Sequence, residues 1–126
     1  MAPADEAIWD RWLLKHGGEY DLFEYDVHVG GVVERQAGWS EETYKMASTL
    51  AAKRIDVVAH KGKDVWIIEV KPEGRVTAVG QLVTYNNLYR REMNPPGLVT
   101  CMLVCENILP DEQEVIKDLG FEFEIV

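Results

Sequence analysis

The sequence predicts a single α/β domain, a central mixed β-sheet flanked by helices on both faces. Three observations predict it. Along the 126 residues the periodic segments run helix, strands, hairpin, helix, strand, helix, strand. Strands alternating with helices bury their apolar faces as a sheet covered on both sides. Leu98 to Cys105 is an almost unbroken apolar run, as expected of a central strand. Apolar residues make up 47% and charged residues 28%, which suits one globular domain with a real core.

Asp5 to His16 reads as a helix. Pro3 precedes it, Ile8, Trp9, Trp12 and Leu13 form its apolar stripe, and Gly17-Gly18 ends it. Leu22 to Val29 alternates in part and reads as a strand. Gly30-Gly31 then turns the chain, and Val32 to Arg35 is expected to return as a short strand. Ser40-Glu41-Glu42-Thr43 is a helix start, and that helix runs toward Ala52. Two strands follow, joined at Gly62-Lys63. Pro72-Glu73-Gly74 is expected to break the second of them. Thr77 to Met93 reads as a helix with a mixed stripe of Val79, Leu82, Val83, Asn86, Tyr89, Arg90 and Met93. Asn94-Pro95-Pro96-Gly97 terminates it. After the apolar strand, Pro110 or Asp111 opens a short helix that Gly120 closes, and Phe121 to Val126 is the last strand.

Composition excludes several classes. No apolar run approaches the roughly 20 residues of a membrane helix. The acidic N-terminus precedes no apolar stretch, so no secretory signal is expected. Cys101 and Cys105 share one face of a buried strand and lack a second pair at zinc spacing. They read as core residues in a reducing, cytoplasmic setting. The net charge of −9 argues against a nucleic-acid partner, but its distribution does not. Residues 1–52 hold 4 basic and 10 acidic side chains, and residues 94–126 hold 1 and 7. Residues 53–93 hold 8 basic and 5 acidic, so this segment alone is basic and can attract phosphate.

That basic segment contains the most informative residues, Asp56, Glu69 and Lys71. With Gly62-Lys63 as a two-residue hairpin turn, His60 faces Val65, Val58 faces Ile67, Asp56 faces Glu69 and Arg54 faces Lys71. Strand alternation puts these four pairs on one side of the sheet. Ala59 with Trp66, Val57 with Ile68 and Ile55 with Val70 then form a wholly apolar second side. Like charges directly opposite each other destabilise a sheet, and more so when half-buried. Asp56 opposite Glu69 therefore points to a divalent hard cation held by oxygen ligands, with the Lys71 amine beside it for chemistry on a phosphate. On the following helix Gln81 and Tyr85 are four residues apart and share a face near these carboxylates.

Asp56, twelve intervening residues, then Glu69-Val70-Lys71 resembles the second and third motif elements of the PD-(D/E)XK nuclease superfamily, the restriction-endonuclease-like fold. Gln81-Leu82-Val83-Thr84-Tyr85 resembles the Gln-x-x-x-Tyr element of its RecB-like branch, and the spacing around Asp56 is similar to that of archaeal Holliday-junction resolvases. Ile55 stands where the motif's proline would be. The resemblance covers residues 53 to about 105 well and the first helix loosely. It implies a restriction-endonuclease-like core and hydrolysis of DNA phosphodiester bonds with Mg²⁺ or Mn²⁺. Asp56 and Glu69 would hold the metal with the Val70 carbonyl and Glu6. Asp10 lies one turn on from Glu6, and Glu42 is the alternative if the second helix packs over the site. Catalysis would rest on Asp56, Glu69, Lys71, Gln81 and Tyr85, and Lys53, Arg54 and Arg75 would contact nucleic acid. The setting implied is the cytoplasm of a prokaryotic cell or phage-infected host, as a homodimer or beside a larger protein partner. Two alternatives stand beside this reading: a metal-dependent enzyme acting on RNA or nucleotides, and an inactive nuclease-fold protein serving as a structural or regulatory subunit.

Overall fold

The computed structural model describes all 126 residues. Helix α1 spans Pro3–His16, with Pro at its first position, and a short 3₁₀ turn, Gly17–Glu19, leads to strand β1, Leu22–Gly30. Helix α2 spans Glu41–Ala51 and passes without a loop into β2, Ala52–Lys61. Its N-cap is Ser40, whose hydroxyl accepts from the Thr43 N–H at 3.1 Å. Gly62, at φ +58°, makes the tight turn into β3, Asp64–Gly74. Helix α3 spans Val76–Met93 and ends at Asn94 in the left-handed conformation. Strand β4 (Val99–Ile108), helix α4 (Pro110–Asp118) and strand β5 (Glu122–Ile125) complete the chain. No helix is long and apolar enough to cross a membrane.

The five strands lie in chain order in one sheet. Strands β1, β2 and β3 are antiparallel neighbours, while β3, β4 and β5 are parallel. The sheet is therefore mixed, as expected. On one face α1 lays Ile8, Trp9 and Trp12 over Val57, Ala59, Ile68, Val70, Met102 and Val104. Trp9 and Trp12 stack at 4.7 Å between ring centroids, and the Trp12 indole N–H donates to Glu124 at 2.7 Å. On the other face α3 buries Ala78, Val79, Leu82, Tyr85 and Tyr89 against Ile55, Val58, Ile67, Cys101, Leu103 and Cys105. Both cysteines are free and buried, as core residues.

Four local expectations need correction. Residues 31–35 form no strand; β1 pairs with β2 instead, and Val32 is 96% exposed. Pro72 does not break β3, which continues to Gly74 on the β4 side. Its ladder with β2 has already ended at Val57–Ile68, so no N–H is needed there and proline is tolerated. The buried stripe of α3 runs through Ala78, Val79, Leu82, Tyr85 and Tyr89, leaving Val83, Arg90 and Met93 exposed. The fourth concerns the two sides of the sheet. In β1, Phe23 and Tyr25 meet Trp9 on the α1 face, whereas Val27 and Val29 pack on the α3 face. In β2, Val57 and Ala59 face α1, whereas Ile55 faces α3 and so does not share a side with Val70. Both strands change sides at facing positions, Asp26 and Asp56. Asp26 has φ +55°, a left-handed residue within a strand, and it rotates the chain there.

Candidate active site at a fork between two strands

The hairpin register is the expected one from Lys61–Asp64 through Val57–Ile68. Beyond that pair the ladder stops, and the predicted Asp56–Glu69, Ile55–Val70 and Arg54–Lys71 ladder pairs do not form. The two acidic residues stand where the strands part, and their side chains replace the missing ladder bonds. Glu69 Oε1 accepts the Asp56 N–H at 3.1 Å, and Asp56 Oδ2 accepts the Val70 N–H at 3.0 Å. Each carboxylate is thus fixed by the other's strand. Backbone amides that a sheet must satisfy are satisfied by the groups proposed to do the chemistry.

Electrostatics at the fork are unfavourable for two full charges. Glu69 is 1% exposed, and burial first, then the Asp56 charge, pushes its carboxyl up to about 8. Burial also raises Asp56, offset in part by the Val70 N–H and the Lys71 charge. Lys71, half-buried on β3, lowers both. Two carboxyls this close titrate as a pair rather than independently. Tyr85 is pushed up to about 12 by burial and then by the Glu69 and Asp56 charges, so its phenol stays protonated at neutral pH.

Two concavities flank the fork. On the α1 side a pocket of about 260 Å³ is lined by Glu6, Trp9, Asp10, Tyr25, Asp26 and Asp56 among others. On the α3 side a groove of about 440 Å³ is lined by Lys53, Thr77, Gly80, Gln81, Thr84 and Tyr85. Gln81 Oε1 is buried and has no hydrogen-bond partner. An orphaned amide oxygen of this kind signals a missing donor or cation.

The fork brings Asp56, Glu69, Val70 and Lys71 together, and Gln81 and Tyr85 line the groove beside them. Glu6 is exposed on the wall it shares with Asp56 and Asp10, and no group of three or more His, Cys, Asp or Glu side chains is placed to hold a metal ion. Glu42 is exposed on the first turn of α2. Lys53 borders the groove while its ammonium donates to the Ala51 carbonyl at 2.9 Å. Arg54 is exposed, 3.8 Å from Asp26. Arg75 faces elsewhere: its Nε donates to Glu73 at 2.8 Å, beside a separate pocket at the ends of β3 and β4. Sequence reasoning missed Asp5. It is 8% exposed, and its charge is among those raising Asp56. The signal was available, because Asp5, Ile8, Trp9 and Trp12 fall at helical spacing and place Asp5, not Glu6, on the buried stripe.

No protein-family model matches the sequence, and no curated protein matches it. Solved structures do match. EndoMS, in a complex with double-stranded DNA, superposes with a TM-score of 0.56 and 17% identity, over 96% of this chain and 44% of that one. A repair endonuclease from Pyrococcus abyssi superposes with a TM-score of 0.57 and 17% identity, over 96% of this chain and 46% of that one. The chain shares its fold with both. A third match, to a protein of unknown function, has a TM-score of 0.51 and 13% identity, over 94% of this chain and 55% of that one. The chain spans about half the length of these structures, and at such identities the likeness is one of fold.

Proposed function

We propose that the chain is a metal-dependent nuclease that hydrolyses phosphodiester bonds in DNA by a PD-(D/E)XK mechanism. The observation that carries the reading is the interlocked carboxylate pair at the fork, with Lys71 beside it. The donor chemistry fits a hard divalent cation. Two buried carboxylates that Lys71 and the N-terminal amine offset only in part, with an unpartnered amide oxygen on the following helix, are what Mg²⁺ or Mn²⁺ takes. Asp56, Glu69 and the Val70 carbonyl would hold it, with the acidic wall of Asp5, Glu6 and Asp10 adding attraction. A cation bound there would supply Lewis-acid polarisation of a phosphoryl oxygen and ease ionisation of a water.

The chain's own residues have distinct tasks. Lys71 orients the attacking water and offsets negative charge that grows on the phosphate. Tyr85, held protonated, donates a hydrogen bond toward the carboxylates or a phosphate oxygen. Gln81 positions Lys71 or the water through its free oxygen. Lys53 and Arg54 approach the phosphate backbone from the start of β2. DNA as substrate draws on the fold shared with EndoMS, whose complex contains double-stranded DNA, and with a repair endonuclease.

The test is cleavage of plasmid, linear, single-stranded and branched DNA, and of RNA, with Mg²⁺, Mn²⁺ or EDTA. The expected result is cleavage of DNA that needs the divalent ion. Asp56→Asn and Lys71→Ala should each lower it by at least about 10²-fold. No cleavage of any substrate, with metal affinity unchanged in Asp56→Asn, would instead identify an inactive structural or regulatory subunit.

A further inference from the structure

The pocket at the C-terminal ends of β3 and β4 encloses about 400 Å³ and has no part in the fork. Its floor is a pair of facing strand ends, Glu73 with Asn107 and Gly74 with Ile108. Arg75 and Leu109, which open α3 and α4, and Glu112 of α4 complete the wall. The fold leaves two buried side-chain polar atoms without a hydrogen-bond partner. One is Gln81 Oε1 in the groove beside the fork, and the other is Glu112 Oε2 here. A carboxylate oxygen taken from water without a donor carries a cost that only an incoming donor removes.

The chain's own cation in this wall does not supply that donor. Arg75 is ion-paired with Glu73, its Nε donating to the carboxylate at 2.8 Å. Two carboxylates and one guanidinium line the pocket, so one negative charge is left over. The surroundings have the same sign. A helix N-terminus favours anions, but Asp111 and Glu112 already fill the first turn of α4, and Pro110 has no N–H to offer. Residues 94–126 hold 7 acidic side chains and 1 basic. A phosphate is repelled from this end of the molecule, whereas a cation is drawn to it.

We propose that this pocket binds a guanidinium group, carried by an arginine side chain of a protein partner. The guanidinium donates to Glu112 Oε2 and to the amide oxygen of Asn107, and the methylene stem lies along Ile108 and Leu109. Leu109 is 70% exposed, and Val76, next to Arg75, is 72% exposed. A peptide backbone on either side of the arginine covers this apolar area, which a free guanidinium compound leaves bare. Arginine is also among the side chains that most often anchor protein interfaces. The inference does not rest on the nuclease reading, since the residues that hold the proposed cation take no part in it.

Heteronuclear NMR of the isotopically labelled full chain, titrated with the peptide acetyl-Gly-Arg-Gly-amide, tests it. The expected result is a saturable shift of the Gly74, Asn107 and Glu112 amides at millimolar peptide. The same peptide with citrulline, which keeps the shape and loses the charge, should leave them unmoved. Glu112→Gln should weaken binding by at least about tenfold, with the rest of its spectrum showing the fold intact. Glu114→Gln, outside the pocket, should leave binding unchanged. No shift up to the solubility limit of the peptide overturns the proposal, as does an equal response to citrulline or an equal loss in both variants. Inorganic phosphate or guanosine monophosphate shifting these amides more strongly than the peptide would make the pocket an anion site and overturn it too. Agmatine bound more tightly than the peptide would overturn the choice of a protein partner.

Discussion

Replacing Glu69 by glutamine isolates the conflict at the fork. The amide keeps an oxygen that accepts the Asp56 N–H, and it brings a donor toward the Asp56 carboxylate in place of a second charge. In the native chain the Glu69 carboxyl is raised from its ordinary 4.5 to about 8. An acid whose folded-state value lies above its unfolded one contributes stability that is intact below the unfolded value. That contribution is lost as the pH rises through the folded one. For Glu69 the window is pH 4.5 to about 8. At pH 7 a shift of this size disfavours folding by about 3 kcal/mol. Asp56 shares the titration, so the gain expected for Glu69→Gln is about 1–3 kcal/mol, or roughly 3–10 °C in Tm for a domain of this length. The assay is thermal unfolding in EDTA between pH 5 and pH 8.5. The variant should match the native protein at pH 5 and exceed it increasingly toward pH 8.5. Added Mg²⁺ should raise the native Tm at the alkaline end and leave that of the variant unmoved, since the ligand binds only deprotonated carboxylates. A variant less stable than the native protein at pH 8 in EDTA would refute the reasoning, because Glu69 would then be stabilising as a charge.

Asp5→Asn removes a buried charge that bears on Asp56 and should weaken Mg²⁺ binding at pH 8 about fivefold by calorimetry, more than Glu6→Gln does; equal effects would restore Glu6 to the leading role. Asp26→Val places a β-branched residue at φ +55° and should cost about 1–2 kcal/mol in urea unfolding, whereas Asp26→Gly should be tolerated; equal stabilities would contradict the strand reversal. Cleavage, if it requires both carboxylates ionised, should rise with pH up to about 8, and a rate independent of pH between 6 and 8 would contradict that requirement.

The hairpin could be read from sequence because Gly62-Lys63 fixes the turn, and a fixed turn fixes every pair up to Val57–Ile68. The same reading failed from Asp56 onward. Alternation assumes an unbroken strand, and nothing in the local pattern announces that Asp26 turns left-handed and reverses the facing residues of both strands. Pro72 misled for a related reason. Its meaning depends on whether β2 is still paired there, a long-range fact. Val32 to Arg35 follows a Gly-Gly turn as a returning strand would but has no partner, because β2 already pairs with β1. Apart from that strand, the order of the elements, the buried Cys101–Cys105 strand and the helix ends at Ser40 and Asn94 rest on local chemistry and are legible in the sequence. Glu6 comes from the resemblance, whereas the helical stripe through Ile8, Trp9 and Trp12 buries Asp5.

A crystal soaked in Mn²⁺ at pH 8 and measured at the manganese absorption edge tests the central claim most directly. The account predicts one anomalous peak at the fork, within coordination distance of both Asp56 and Glu69, that disappears in Asp56→Asn. No peak at the fork at millimolar Mn²⁺, with both carboxylates still bonded to the facing strand's backbone, would contradict it.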